Sequence, residues 1–110
     1  AGTDHHARAL SLARDNQPEQ AVVALREHLA TCPNDAEAWN DAGVLLHRLG
    51  HTHQALTCLE RALQLAEDPD PVAANVLDLC QATGQKRPIG RMVKLLHARG
   101  GIGLDALLRW

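Results

Sequence analysis

Phenylalanine and tyrosine are absent, and the aromatic content is 2%, carried by Trp39 and Trp110 alone. Sheets draw on aromatic and β-branched residues. This chain is instead rich in Ala, Leu, Gln, Glu and Arg, which favour helices, so an all-α fold is expected. Cysteine is scarce. Cys32, Cys58 and Cys80 are odd in number and lie 26 and 22 residues apart, which fits neither a disulfide framework nor a zinc spacing. They read as small buried hydrophobes in a reducing, cytoplasmic compartment. No apolar run approaches the ~18 residues of a membrane helix, and no basic-then-apolar leader is read at the N-terminus. Positive charge is not in excess either: eleven Lys+Arg against thirteen Asp+Glu give −2 with His neutral. That balance argues against nucleic acid or an acidic membrane as partner. Hydrophobic residues at 45% and charged residues at 22% argue against disorder, and 110 residues fit one domain.

What is present is a period. Asn16, Gly50 and Gly84 are spaced by 34, as are Gln17, His51 and Gln85, and Ala21, Ala55 and Ile89. Leu25, Leu59 and Val93 keep the same step, as do Leu12, Leu46 and Cys80. Three such periods make 102 residues and nearly fill the chain. A fixed period of this length signals stacked supersecondary units.

Each period contains two helical patterns. In the middle one, Asp35 is placed to cap a helix over 36–48 with an apolar face of Trp39, Ala42, Leu45, Leu46 and Leu49. Gly50 ends it, because a left-handed residue is least costly as Gly. Thr52 is expected to cap a second helix, 53–66, with the stripe Ala55, Leu56, Leu59, Ala62, Leu63 and Ala66. Asp70 is expected to cap the next, with Pro71 in its first turn. The first period reads as helices over about 3–15 and 18–30, burying Ala9, Leu12 and Ala13, then Ala21, Val22, Leu25 and Leu29. The third is lined by Val72, Ala73, Val76, Leu77 and Cys80, then Ile89, Met92, Val93 and Leu96, with Pro88 in the first turn. Residues 102–110 carry Leu104, Leu107, Leu108 and Trp110 at helical spacing, the pattern of a short capping helix.

The repeat resembles the tetratricopeptide repeat (TPR) family, whose unit is 34 residues in two antiparallel helices. The middle repeat carries the resemblance best. Trp39, Gly43, Gly50, Ala55 and Ala62 stand at the family's Trp, two Gly and two Ala positions, and Leu46 and Leu59 stand where large aromatics are usual. In the first repeat Ala9, Leu12, Ala21, Leu25 and Pro33 match by type. The resemblance covers 2–101 and implies a right-handed α-solenoid: repeats over 2–35, 36–69 and a divergent 70–101, then the capping helix. Gly43 and Ala55 would be small because the two helices cross there. In the third repeat Leu77, Ile89 and Leu96 replace the small residues, and His28 replaces one in the first. The alternative pentatricopeptide repeat, which binds RNA, fits the unbroken 34-residue step and the net charge less well.

The resemblance also implies a function: holding a peptide or helix of another protein in a concave groove built by the first helix of each repeat. The corresponding positions are His6, Leu10, Ala13 and Arg14; Glu37, Asn40, Asp41, Val44, His47 and Arg48; Ala74, Asn75, Asp78, Gln81 and Ala82. The plainer reading is a solvated polar face on a spacer. A sub-family that grips chaperone C-terminal carboxylates uses Lys, Asn and Arg at positions held here by His6, Leu10, Asp41, Pro71 and Asn75. None of these is Lys or Arg, and Asp41 would repel a carboxylate, so chaperone tails are not the expected partner.

No enzyme motif is present: no Gly-rich phosphate loop, no GxSxG, no HExxH. No cofactor is implied. His47, His51 and His53 invite a metal reading, but Gly50 breaks the helix between them and no Cys or carboxylate completes a site. His28 is expected to be half-buried and hydrogen-bonded. The second class of function is an auxiliary or regulatory region cut from a larger enzyme such as a transferase.

Overall fold

The computed structural model describes residues 10–12, 15 and 17–99. Among them lie five helices and no strand: α1 (Pro18–Thr31), α2 (Ala36–Arg48), α3 (Thr52–Leu65), α4 (Asp70–Thr83) and α5 (Arg87–Ala98). Leu10, Ser11 and Leu12 are also helical. The rest of the helix expected over 3–15, and the cap expected over 102–110, lie outside the described residues.

Local chemistry sets the ends. Pro18 starts α1, where a missing N–H costs nothing. The Asp35 side chain accepts from the Ala38 N–H at 3.2 Å and caps α2. Gly50 (φ +85°) and Gly84 (φ +74°) turn the chain after α2 and α4 in the left-handed region. Two expected caps fall one residue earlier. The Ala55 N–H bonds to the His51 carbonyl at 2.9 Å, so His51 is the cap of α3 and Thr52 is already helical. Likewise the Ala73 N–H bonds to the Pro69 carbonyl at 2.8 Å. Pro69 (φ −79°) has already entered the helical region, and Asp70 belongs to α4. Asp68 Oδ1 accepts the Asp70 N–H instead.

The short turns fold α2 back onto α3, and these two make the most extensive contact among the described helices. The crossing is at Gly43. A Cβ there would stand 2.7 Å from Leu59 Cγ and 3.1 Å from the Ala55 carbonyl oxygen. One continuous core runs through all the pairs, with Leu25, Leu59, Leu63, Val76, Leu79, Met92 and Leu96 essentially without exposure. The divergent third pair therefore folds. Its crossing does not close in the same way: Leu77 and Ile89 are only half-buried and line an open recess of about 420 Å³ between α4 and α5. Polar straps tie α5 back to α3 instead. Arg91 Nε donates to Glu60 Oε2 at 2.8 Å, and the Arg99 guanidinium donates to the Leu63 and Ala66 carbonyls.

Several expected core residues sit at the margin. Trp39, Leu49 and Val93 are half-buried, and so are Cys32 and Cys58; of the cysteines only Cys80 is buried. Ala24, Ala38 and Leu79 are buried in their place. His28 goes the other way: it is 3% exposed, deeper than expected. Its Nε2 lies 2.7 Å from Asp35 Oδ2, which joins the end of α1 to the start of α2.

Candidate functional site

Helical periodicity divides α2 into two faces. Ala38, Ala42, Gly43, Leu45 and Leu46 are buried, which leaves Glu37, Asn40, Asp41, Val44 and Arg48 on the opposite stripe. On α4 the burial of Val72, Ala73, Val76, Leu79 and Cys80 leaves Asn75, Asp78 and Gln81. The two stripes meet at one bond: Asn75 Nδ2 donates to Asn40 Oδ1 at 2.9 Å. Each amide uses one pole in that bond. The other poles, Asn40 Nδ2 and Asn75 Oδ1, have no hydrogen-bond partner among the described residues and suit the C=O and N–H of a peptide backbone.

Asp41, Val44 and His47 are half-buried beside this bridge, while Glu37, Arg48, Asp78 and Gln81 are exposed. Leu10 is 40% exposed, an apolar side chain left open to solvent. His6 and Arg14 lie outside the described residues. No hydrogen bond or ion pair ties Glu37, His47, Arg48, Asp78 or Gln81 to another described residue, so these side chains are available to a ligand. Where α2 and α4 begin, a recess of about 400 Å³ is lined by Glu37, Asn40, Glu67, Asp68, Pro71 and Val72, among others. It gives this end of the face an acidic wall. The sequence pattern pointed to Asp70 as a helix cap and gave Glu67 and Asp68 no part in the groove.

A second concavity was not anticipated. On the far side of α2, a recess of about 510 Å³ opens between α1 and α3. Its floor is Trp39, Ala42 and Leu46, and Cys58 stands in its wall. The Trp39 indole N–H donates to the Pro33 carbonyl at 2.8 Å, which fixes the ring at the floor's edge. The signal was available: Leu46 stands where the resembling family carries a large aromatic, and Ala30, Ala42, Thr57 and Cys58 around it are small. Burial pushes the Cys58 thiol above its ordinary pKa, with the Arg26 guanidinium pulling the other way. Burial raises the Cys80 thiol too, opposed by Arg91.

Of the histidines singled out for metal, His47 is half-buried, whereas His51 and His53 are exposed beyond the Gly50 turn. Among the described residues no three His, Cys, Asp or Glu side chains converge to hold a metal ion. No helix among them is long and apolar enough to cross a membrane.

Comparison with known proteins places this chain beside tetratricopeptide repeats. A family model described as tetratricopeptide repeat matches residues 36–69. A second with the same description matches residues 4–45. Human "Tetratricopeptide repeat protein 17" is similar to this chain at 38% identity over 69 residues, covering 57% of the chain. The chain spans only 6% of that relative's length.

Proposed function

Because the chain belongs to the tetratricopeptide repeat family, whose models match it across residues 4–69, we propose that it is a protein-interaction module and not an enzyme. Its working surface is the groove of the first-of-pair helices, which holds an extended peptide or short helix of a partner protein. The repeats of this reading are 2–35, 36–69 and 70–101. The observation that carries this reading is the Asn75–Asn40 bridge, with one amide pole of each residue left for a ligand. An extended peptide needs main-chain partners for affinity and side-chain pockets for specificity. The amides serve the first need; Leu10, Val44, His47 and Arg48 serve the second. Glu37, Asp41 and Asp78, with the acidic wall at Glu67 and Asp68, favour a ligand that carries basic residues and disfavour an anionic chaperone tail or a nucleic acid. The expected compartment is the cytoplasm, where the three cysteines stay reduced.

A second reading is an auxiliary region of a larger protein, such as a transferase. The 6% of the human relative that this chain spans supports it, since repeats of this kind can sit inside much longer chains. The groove would do the same work in that setting.

Selection of a displayed random peptide library against the chain supplies a ligand, and titration calorimetry its affinity. The double change Val44→Glu/Arg48→Glu should weaken the selected peptide at least about tenfold, or ~1.4 kcal/mol. Asn75→Ala, which removes the amide without adding charge, should weaken it in the same direction. Helical content should be unchanged in both. Unaltered affinity in both variants would move binding to another face.

A further inference from the structure

The recesses of this chain differ in the charge that lines them. The carboxylates Glu37, Asp41 and Asp78 belong to α2 and α4, the first-of-pair helices, and Glu67, Asp68 and Asp70 lie between α3 and α4. On the side formed by α1, α3 and the start of α5 the helices carry both signs, with Glu19, Glu27 and Glu60 among them, but the charged residues lining the two recesses that open there are cations alone. The recess over Trp39, Ala42 and Leu46 has Arg26 and His53 on its rim. A neighbouring recess of about 450 Å³ lies between α3 and α5, lined by Leu56 and Pro88 together with Lys86, Arg87 and Arg91. His53 lines both, so the two adjoin across the first turns of α3. No Asp or Glu lines either one. Arg91 is engaged by Glu60 at 2.8 Å. Arg26, Lys86 and Arg87 make no ion pair with any described residue.

The apolar recess thus adjoins one in which Lys86 and Arg87 have no ion-pair partner among the described residues, on a chain whose net charge is −2. Water solvates exposed guanidinium and ammonium groups well, but it does not stabilise the apolar floor of Trp39 and Leu46. A ligand that satisfied both would bring an apolar anchor for the floor and carboxylates for the cations, spaced across α3. We propose that this second face docks an acidic, apolar-anchored segment of a partner protein. A Leu or aromatic side chain sits against Trp39 and Leu46, and Asp or Glu side chains meet Arg26, Lys86 and Arg87. The inference does not rest on the groove of α2 and α4. The two faces ask for ligands of opposite charge, so one chain could hold two partners, or two segments of one partner, at once.

The test uses a displayed peptide library enriched in Asp, Glu, Leu and Trp, selected against the full chain. Selected peptides are measured by fluorescence anisotropy. Charge reversal at the exposed pair, Lys86→Glu/Arg87→Glu, should weaken binding at least about tenfold, whereas Val44→Glu/Arg48→Glu should leave it unchanged. Cys58 supplies a second readout, with a poly-Glu peptide lacking an apolar residue as the control for neutralising Arg26 beside the thiol. Bound peptide should slow its alkylation about fivefold or more, while Cys80, in the recess on the other side of α5, alkylates at its former rate. The idea is overturned if no acidic, apolar peptide is selected, or if charge reversal leaves the affinity unaltered. It is overturned equally if Cys58 stays unprotected, which would mean ion pairing without docking, as with a polyanion such as RNA. Self-association of the chain that blocks Cys58 in the absence of peptide would also overturn it, because the occupant would then be a second copy.

Discussion

The middle and last helix pairs are built on one period yet close differently. In the middle pair Gly43 meets Ala55 and Leu59 so tightly that a Cβ has no room. In the last pair the same two registers hold Leu77 and Ile89, which are half-buried beside an open recess. Both pairs bury an inner row completely, Leu59 and Leu63 in one, Met92 and Leu96 in the other. A 34-residue period therefore fixes which residues face the core. The size of the residue at the crossing fixes how closely the backbones approach. Where it is large, the chain substitutes side-chain straps, here Arg91 to Glu60 and Arg99 to the end of α3.

The comparison can be broken at several points. The largest effect is expected where the pairs are alike. Met92→Ala should cost ~2–5 kcal/mol, the usual range for emptying a fully buried site, read from urea denaturation. A cost below ~1 kcal/mol would mean that the last pair is loose throughout and not only at its crossing. Next comes the point where the pairs differ. Gly43→Leu should cost ~1–3 kcal/mol by overpacking, whereas Leu77→Met should cost less than ~1.5 kcal/mol. A melting temperature of Gly43→Leu within error of the parent would reject the crossing assignment. His28→Ala should lose ~1–3 kcal/mol, because it removes a buried hydrogen bond to the residue that caps α2. Loss of helical signal confined to the α1–α2 joint would sharpen that account. Arg91→Ala should cost under ~1 kcal/mol, since Arg91 is exposed and Glu60 only half-buried, so solvent screens the pair.

The smallest effect concerns pH. The Cys58 and Cys80 thiols are raised by burial, so the folded state favours the neutral form. Their contribution is then fully present below the ordinary thiol pKa and is lost as the pH rises through the raised values. Stability should fall on the alkaline side, and Cys58→Ala/Cys80→Ala should flatten that fall in a melting series. An unchanged slope would assign it to other groups.

Much of the fold was legible because periodicity is a long-range average. The helices and most of the buried rows follow from spacing, and the crossing at Gly43 from the resemblance to the repeat family. Helix caps depend on where the first hydrogen bond closes, and this put His51 and Pro69 one residue ahead of the expected Thr52 and Asp70. Burial at the margin was also out of reach. Trp39 and Cys58 lie on the expected face, but whether a neighbour covers them depends on the sizes of residues from three helices. His28 shows the reverse: its partner Asp35 lies seven residues on, across a turn, and only the folded joint brings them together. For the candidate site, the family resemblance named the stripe but could not show that Asn40 and Asn75 meet.

The central claim is that the glycine crossing makes α2 and α3 the firm body on which both faces are mounted, with α5 strapped to it. Native-state hydrogen exchange measures this residue by residue. Amides around Gly43–Leu46 and Ala55–Leu59 should exchange only through global unfolding, while those of α5 should exchange through a smaller opening at lower free energy. Protection of α5 equal to that of α3, or earlier opening of α2, would contradict the account.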